Sequence, residues 1–386
     1  MLYNIIMILN NDIKLYITEN IEKIINENII DDLPFYIINF NEIIKKYNNW
    51  KDKLPNIQPY YAIKCNSDKN ILLLLLSLGC KFDTASQFEM NEILNICNDP
   101  NKIIFANPCK FISHIKYAKD NNINLMTFDN EEELYKIQQY HPFCDLILRL
   151  AVDDSKSLCK FNIKFGCKEN NIEKLILLTK KLGLNLKGFS FHVGSGCNCP
   201  NIYYDAIKIC KNAYDIAIKN NIKINIIDIG GGFQSNNFDE ISEYVIKAQT
   251  DFFINELNDI TFIAEPGRYL VETSHTLVLN VISKKIEDDL YIYYLNEGMY
   301  GSFNCITNDH AMPSFNILNN NNNKIRKSRF FGPTCDSIDL IYNEIYINEL
   351  NIGDYIYIKN MGAYTISGAS PFNGFKLKNK IYINII

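Results

Sequence analysis

The sequence has no aliphatic run long enough to cross a bilayer: the longest, Ile71 to Leu78, falls far short of the roughly 18 residues a spanning helix needs. No membrane association is expected. A strong charge imbalance is missing as well, since 39 Lys and Arg stand against 44 Asp and Glu for a net charge of -5. That balance argues against nucleic acid or an acidic membrane as partner. The 12 cysteines are scattered singly or in loose pairs such as Cys197 and Cys199, without the paired spacing of a zinc site or the density of a secreted disulfide scaffold. No metal is expected, and a reducing cytosol suits the chain. The apolar start, Met1 to Leu9, lacks a basic stretch and a small-residue cleavage site, its first Lys being Lys14; it reads as a strand, not a secretion signal. With 47% apolar, 22% charged and 12% aromatic residues, collagen-like, coiled-coil and wholly disordered chains are excluded. The 386 residues suit one large domain plus a smaller one.

Short β-rich runs alternate with helix-length segments from about Phe35 to Leu270, the pattern of βα units with a parallel sheet. Strands are expected at Phe35–Asn39, Tyr60–Lys64, Lys81–Thr84, Ile103–Ala106, Asn124–Thr127, Asp145–Ala151, Leu186–Val193, Ile224–Ile229 and Thr261–Glu265. Amphipathic stretches such as Asn170–Leu182 and Tyr203–Lys219 lie between them. The length matches a (β/α)8 barrel, an open doubly wound sheet being the alternative. Beyond residue 275 strands follow without helices: Thr276–Ser283, Leu290–Leu295, Ile341–Ile347 and Tyr355–Lys359. The expected class is therefore α/β, a (β/α)8 barrel at 35–272 followed by a mainly β C-terminal domain at 273–386. Residues 1–34 are expected to pair with that β domain. Asn319–Asn323, an Asn run ending in a basic stretch, reads as a solvated loop.

Barrel enzymes place their chemistry just beyond the C-terminal ends of the strands. There the strand Tyr60–Ile63 ends in Lys64, where burial is expected to lower the amine pKa toward a usable nucleophile or Schiff-base lysine; a merely solvated lysine is the plainer reading. FHVGSG, residues 191–196, and IIDIGGGF, residues 226–233, each run a strand into a Gly-rich turn that can wrap an anion or simply turn the chain. AEPGRY, residues 264–269, puts Glu265 and Arg268 together, either as site residues or as a surface ion pair. As a set these groups meet the needs of pyridoxal 5'-phosphate (PLP): a lysine for its aldehyde, Gly-rich amides and an Arg for its phosphate, and an acid that keeps its pyridine nitrogen protonated. His192 could stack on the ring or be a buried structural histidine.

YYAIKCN (60–66), KFDTASQFE (81–89), IIFANPCK (103–110), LRLAVDDSKSLCKFNIKFG (148–166), GFSFHVGSGC (188–197), DIGGGF (228–233), AEPGRY (264–269), YGSFNC (300–305), FGPTCDSID (331–339) and MGAYTISGASPFNGF (361–375) follow one another in the order of a known family. Over nearly its whole length the chain resembles the ornithine decarboxylases of the alanine-racemase-like (fold type III) PLP family. The resemblance implies that Lys64 holds the cofactor aldehyde and His192 stacks on the ring. Ser195, Gly232, Arg268 and Tyr364 would bind the phosphate, Glu265 the pyridinium, and Asp83 and Arg149 would line the pocket. Cys335 and Asp336, with Asp309, would come from the neighbouring subunit of a homodimer. Cys335, otherwise a plain thiol, would return a proton to Cα, and Asp309 and Asp336 would hold a distal ammonium. The implied reaction takes L-ornithine to putrescine and carbon dioxide, the first step of polyamine synthesis.

The chain departs from the family pattern at Asn308, where a Tyr is usual, at Glu297 in place of Asp, and at Ser337 in place of the Gly after CD. The small Asn308 leaves room for a longer substrate. The chain ends at Ile386, so the tail that promotes turnover in mammalian members is not expected. Rival readings are a decarboxylase for lysine, arginine or diaminopimelate, a racemase on the same fold, and a non-catalytic antizyme-inhibitor-like protein that binds a regulator. Lys64, Asp83, Arg149, Arg268 and Cys335 are all retained, which disfavours the last. No cation is evident for the second carboxylate of diaminopimelate.

Overall fold

The computed structural model describes residues 13–319, 324–375 and 379–385. They form two compact units: Lys46–Lys64 with Leu75–Tyr269, and the described parts of Met1–Lys45, Cys65–Leu74 and Leu270–Ile386.

The first unit is a closed barrel of parallel strands in the order Ile57–Ala62, Lys81–Thr84, Ile103–Phe105, Leu125–Phe128, Asp145–Arg149, Asn185–Ser190, Ile226–Asp228 and Thr261–Ala264. The last strand closes the ring by pairing with the first, Ile263 opposite Gln58. The strands are short apolar runs buried on both faces, as a barrel wrapped by helices requires: Leu146, Ile147 and Leu148 are all fully buried. Tyr60, Ile104, Ile147 and Ile263 fill part of the interior. Helices cover the outside. Ile202–Lys219 buries Tyr203, Ala206, Ile207, Cys210, Ala213 and Ala217, spacings that keep one stripe on the barrel. Helix starts are set by local chemistry: Ser86 accepts from the Glu89 N–H and Asn130 from the Glu133 N–H.

The second unit carries a nine-stranded sheet. Its long strand, His275–Glu287, pairs antiparallel with Phe35–Asn39, Tyr355–Ile358 and Leu290–Leu295. Ile325–Phe331 and Leu340–Asn348 continue one side, while Asn379–Ile385 and Ile13–Tyr16 continue the other. Ile24, Ile25, Phe35, Ile37, Val278, Leu318, Tyr357 and Ile383 pack together in its core.

The expected (β/α)8 barrel and mainly β region are both present. Eight of the nine strands expected between Phe35 and Leu270 build the barrel. The ninth, Phe35–Asn39, does not: it lies in the β sheet, with Thr276 opposite Ile37 and Ile381 beside it on the other flank. A run buried at Phe35, Tyr36, Ile37 and Ile38 suits the interior of either sheet, so its pairing partner decides. The basic stretch that follows the Asn run is the strand Ile325–Phe331, in which Ser328 and Phe330 are buried. Residues 320–323 lie outside the described residues, as does the Met1–Leu9 strand expected at the N-terminus.

Candidate active site

At the C-terminal end of the barrel, the strand Ile57–Ala62 runs into one turn of 3-10 helix that presents Lys64. Its Nζ lies 3.5 Å from Oδ2 of Asp83, which the strand Lys81–Thr84 delivers fully buried, whereas Lys64 keeps 46% of its side-chain surface accessible. The expectation that burial lowers the Lys64 pKa is overturned. Attraction to Asp83 outweighs desolvation, Glu265 adds to it, and the pKa is raised. Before any ligand enters, Lys64 is a cation.

Two further strands end in acids. Asp228 terminates Ile226–Asp228 and is fully buried, and Glu265 follows Thr261–Ala264. Desolvation raises both carboxyl pKa values; Asp228 lifts that of Glu265 further, whereas a hydrogen bond from Glu265 holds that of Asp228 down. Two strands away from Asp228, Arg149 ends Asp145–Arg149, its guanidinium 5.2 Å from the Phe165 ring centroid. Its Nε and Nη2 are buried and meet no acceptor of the protein. Burial draws its pKa down while Glu265, Asp129, Asp228 and Asp83 oppose the fall, so the guanidinium remains charged.

The two Gly-rich turns are packed together. A Cβ on Gly232, whose φ is +101°, would stand 2.6 Å from the Gly194 carbonyl oxygen, and one on Gly231 would stand 2.9 Å from His192 Nε2. Only glycine lets the turns approach so closely. His192 Nδ1 accepts from the Gly194 N–H at 3.0 Å, which leaves the proton on Nε2, and Phe161 meets the imidazole edge-on at 4.9 Å. Desolvation, with Arg149 and Lys64 nearby, drives the His192 pKa well below its ordinary value, so the ring is neutral. Next to the first turn, Arg268 Nη2 donates to Ser195 Oγ at 3.4 Å.

In this unit the barrel mouth thus gathers Lys64, Asp83, Arg149, His192, Ser195, Gly232, Glu265 and Arg268. The unsatisfied Arg149 nitrogens, the paired glycine turns and the Ser195–Arg268 couple fit an anionic cofactor carrying both an aldehyde and a basic ring nitrogen, as PLP does. Among the described residues no group of three or more His, Cys, Asp or Glu side chains is placed to hold a metal. Sequence reasoning passed over Asp228; the signal was an acid inside the apolar run IIDIG, where strands of a barrel rarely carry one.

The remaining candidates belong to the β unit. Cys335 is exposed, and its N–H donates to Asn373 Oδ1 at 3.0 Å. Asp336 Oδ2 accepts from the Tyr300 hydroxyl at 2.6 Å, which holds its pKa below the usual carboxylate range. Tyr300 in turn stacks on Phe372 with centroids 4.3 Å apart. The turn before them is tied by Asp339, which accepts from the Met299 and Thr334 N–H groups and the Thr334 hydroxyl. Asp309 caps the short helix Asn304–Asn308. Buried Asn304 ties that helix to the Thr365 carbonyl at 2.6 Å. Tyr364 takes φ +54°, the left-handed region that a bulky residue occupies only when its surroundings force it. Of the three departures, Glu297 is structural: its carboxylate accepts from the Gly298 and Ser302 N–H groups, whereas Asn308 and Ser337 are exposed.

The pyridoxal-dependent decarboxylase family, in its pyridoxal binding domain, matches residues 40–272. The ornithine decarboxylase of Schizosaccharomyces pombe is 41% identical over 366 residues, spanning 92% of this chain and 84% of that protein. Antizyme inhibitor 2 of Xenopus laevis is 40% identical over 377 residues, 92% of this chain and 82% of its own. Among solved structures, the arginine decarboxylase of Paramecium bursaria Chlorella virus superposes with a TM-score of 0.89 at 35% identity, over 94% of this chain and 99% of that one.

Proposed function

The chain belongs to the pyridoxal-dependent decarboxylase family, and from that premise we propose that it removes the α-carboxyl group of L-ornithine, releasing carbon dioxide and putrescine for polyamine synthesis. The observation that carries the reading is the single barrel mouth in which Lys64, Asp83, Arg149, Glu265 and the Ser195–Arg268 couple converge. When bound, PLP supplies an aldehyde for the substrate amine and a ring that takes up the electron pair left by departing carbon dioxide.

Lys64 would hold the aldehyde, His192 the ring face and Glu265 the ring nitrogen. Ser195, Gly232 and Arg268 would hold the phosphate, a role the resemblance also gives to Tyr364. Neutral His192 suits ring contact, because an imidazolium would oppose Lys64 and Arg149. Asp83 keeps the Lys64 amine protonated until a proton is drawn away, and so sets when it becomes nucleophilic. Arg149 supplies buried positive charge on the opposite side of the mouth.

In a homodimer the β unit of the second copy supplies the rest: Cys335 Sγ returns a proton to the substrate carbon, and Asp309 and Asp336 hold the distal ammonium. The ready exposure of Cys335 and the tethering of Asp336 by Tyr300 support that assignment. All twelve cysteines are free thiols, which supports work in a reducing cytosol. A second reading, binding of a regulator without catalysis, is favoured only by the likeness to antizyme inhibitor 2.

Carbon dioxide release measured with ornithine, lysine and arginine tests the proposal. Ornithine is expected to give the highest kcat/KM. A higher value for lysine or arginine would overturn the substrate, and no release from any of them would favour the regulator.

A further inference from the structure

Asp228 is a buried acid of the barrel mouth that the proposed reaction leaves without a task. Its carboxyl is fully buried. Oδ1 accepts from the Gly230 N–H at 2.9 Å, but Oδ2, equally buried, meets no donor of the protein. A buried carboxylate oxygen left in that condition is costly, the more so when it is charged. The backbone explains what Oδ2 faces. Asp228 stands opposite Ile263 in the parallel ladder, so Glu265, two residues on, lies diagonally across on the same side of the sheet. The Glu265 N–H donates to the Gly230 carbonyl at 2.7 Å, locking the two strand ends in this register. The partner of Oδ2 is thus another carboxyl, and two carboxyls hydrogen-bond only with a proton between them.

Charge balance agrees. Around this pair stand Asp83 from one strand, Lys64 and Arg149 from two others, neutral His192, and the un-ionised Tyr60 and Cys210, whose pKa values burial and Asp228 both raise. Within this cluster three acids face two cations, and Glu89 near Lys64 and Asp129 near Arg149 add further negative charge, so a proton retained between the paired carboxyls is favoured. Of the two carboxyls Asp228 is the one with no accessible surface, while Glu265 is only partly buried. Before the cofactor enters, the proton is drawn toward Glu265, whose pKa is raised the further of the two; a protonated ring nitrogen facing Glu265 favours its charged form and leaves the proton on Asp228.

We propose that Asp228 is a positioning residue that works in its neutral form, donating its carboxyl proton to Glu265 so that Glu265 meets the cofactor's ring nitrogen as a fixed, singly charged acceptor. The proposal rests on the PLP reading given above. Its distinguishing feature is that the proton matters and the negative charge does not. Asparagine has the same shape, accepts from Gly230 through its oxygen and donates to Glu265 through its amide; alanine does neither.

The test uses the full chain, stripped of cofactor and titrated with PLP, with carbon dioxide release measured separately. Asp228→Asn should keep the PLP dissociation constant and kcat within about 3-fold of wild type, whereas Asp228→Ala should weaken both by about 10- to 100-fold, the usual penalty for losing a group that orients a ligand-binding residue. The alkaline limit of PLP affinity should also move to higher pH in Asp228→Asn, because an amide has no proton to lose. If Asp228→Asn is as impaired as Asp228→Ala, the charge is what Glu265 needs and the proposal is wrong. Should the alanine variant not fold, Asp228→Asn decides alone: an intact PLP affinity with a displaced alkaline limit supports the proposal, and a loss overturns it. A wild-type chain that binds no PLP overturns the function itself, and the role of Asp228 falls with it.

Discussion

Lys64 Nζ lies 3.5 Å from the buried Asp83 carboxylate, and that pairing turns a lysine at a barrel strand end from an expected nucleophilic amine into a held cation. The sign of the coupling is set by the attraction, since desolvation alone would have lowered the pKa. Asp83→Asn removes the largest attraction and leaves desolvation and Arg149 against the smaller pull of Glu265 and Glu89, so the Lys64 pKa should fall. The pH midpoint at which borohydride traps PLP on the chain should move down accordingly, and a midpoint that stays or rises would contradict the assignment.

Lys64→Ala should abolish carbon dioxide release and leave a protein without a borohydride-sensitive visible absorption band after mixing with PLP. Retained colour that borohydride bleaches would mean that another lysine holds the cofactor.

Lys64→Ala and Cys335→Ala are each expected to be inactive. Mixed under conditions where subunits exchange, they should regain activity, because some dimers then hold one intact pair of Lys64 and Cys335 from different copies. Exchange shown by mass labelling without any recovery would rule out the shared site.

Asp309→Glu lengthens one of two acids assigned to the distal ammonium and should lower ornithine turnover more than turnover of other substrates. Chain-length discrimination of this kind is worth about 10- to 200-fold per methylene. Steady-state kinetics that show a proportional loss for ornithine, lysine and arginine would remove Asp309 from the distal pocket.

Glu297 is buried, and desolvation lifts its pKa to about 7 in spite of the Ser302 and Gly298 N–H bonds. A carboxyl with a raised folded pKa contributes its full stability below the unfolded value, near 4.3, and loses it as pH rises through about 7. Glu297→Gln, which keeps the accepting oxygen, should therefore leave the melting temperature unchanged at acid pH and raise stability above neutrality by roughly 1–3 kcal/mol. Thermal unfolding followed across that pH range checks it. A gain at acid pH would contradict the sign.

Much of the barrel was legible because its strands are apolar on both faces and are separated by amphipathic stretches, a pattern written locally in each segment. The Gly-rich turns, Lys64, Glu265 and Arg268 were legible for a similar reason: each sits in a short motif whose residue types limit what the backbone can do. Asn379–Ile385 and Ile325–Phe331 escaped notice, the first because it is a short run at the chain end and the second because Arg326, Lys327 and Arg329 interrupt its apolar pattern.

What the sequence by itself determined was the inventory and its placement at strand ends: a lysine, acids, a histidine and two glycine turns along a βα rhythm. The tertiary structure alone decided their state. Phe35–Asn39 could have lined either sheet until pairing with His275–Glu287 assigned it. Lys64 became a cation because Asp83, brought beside it on the neighbouring strand, outweighs desolvation. Asp228 and Glu265 came to share a proton-bearing site because the ladder register sets them diagonally across two strands. Residue type and local pattern are carried along the chain, whereas charge state depends on distance and burial, and those exist only once the strands have closed into a ring.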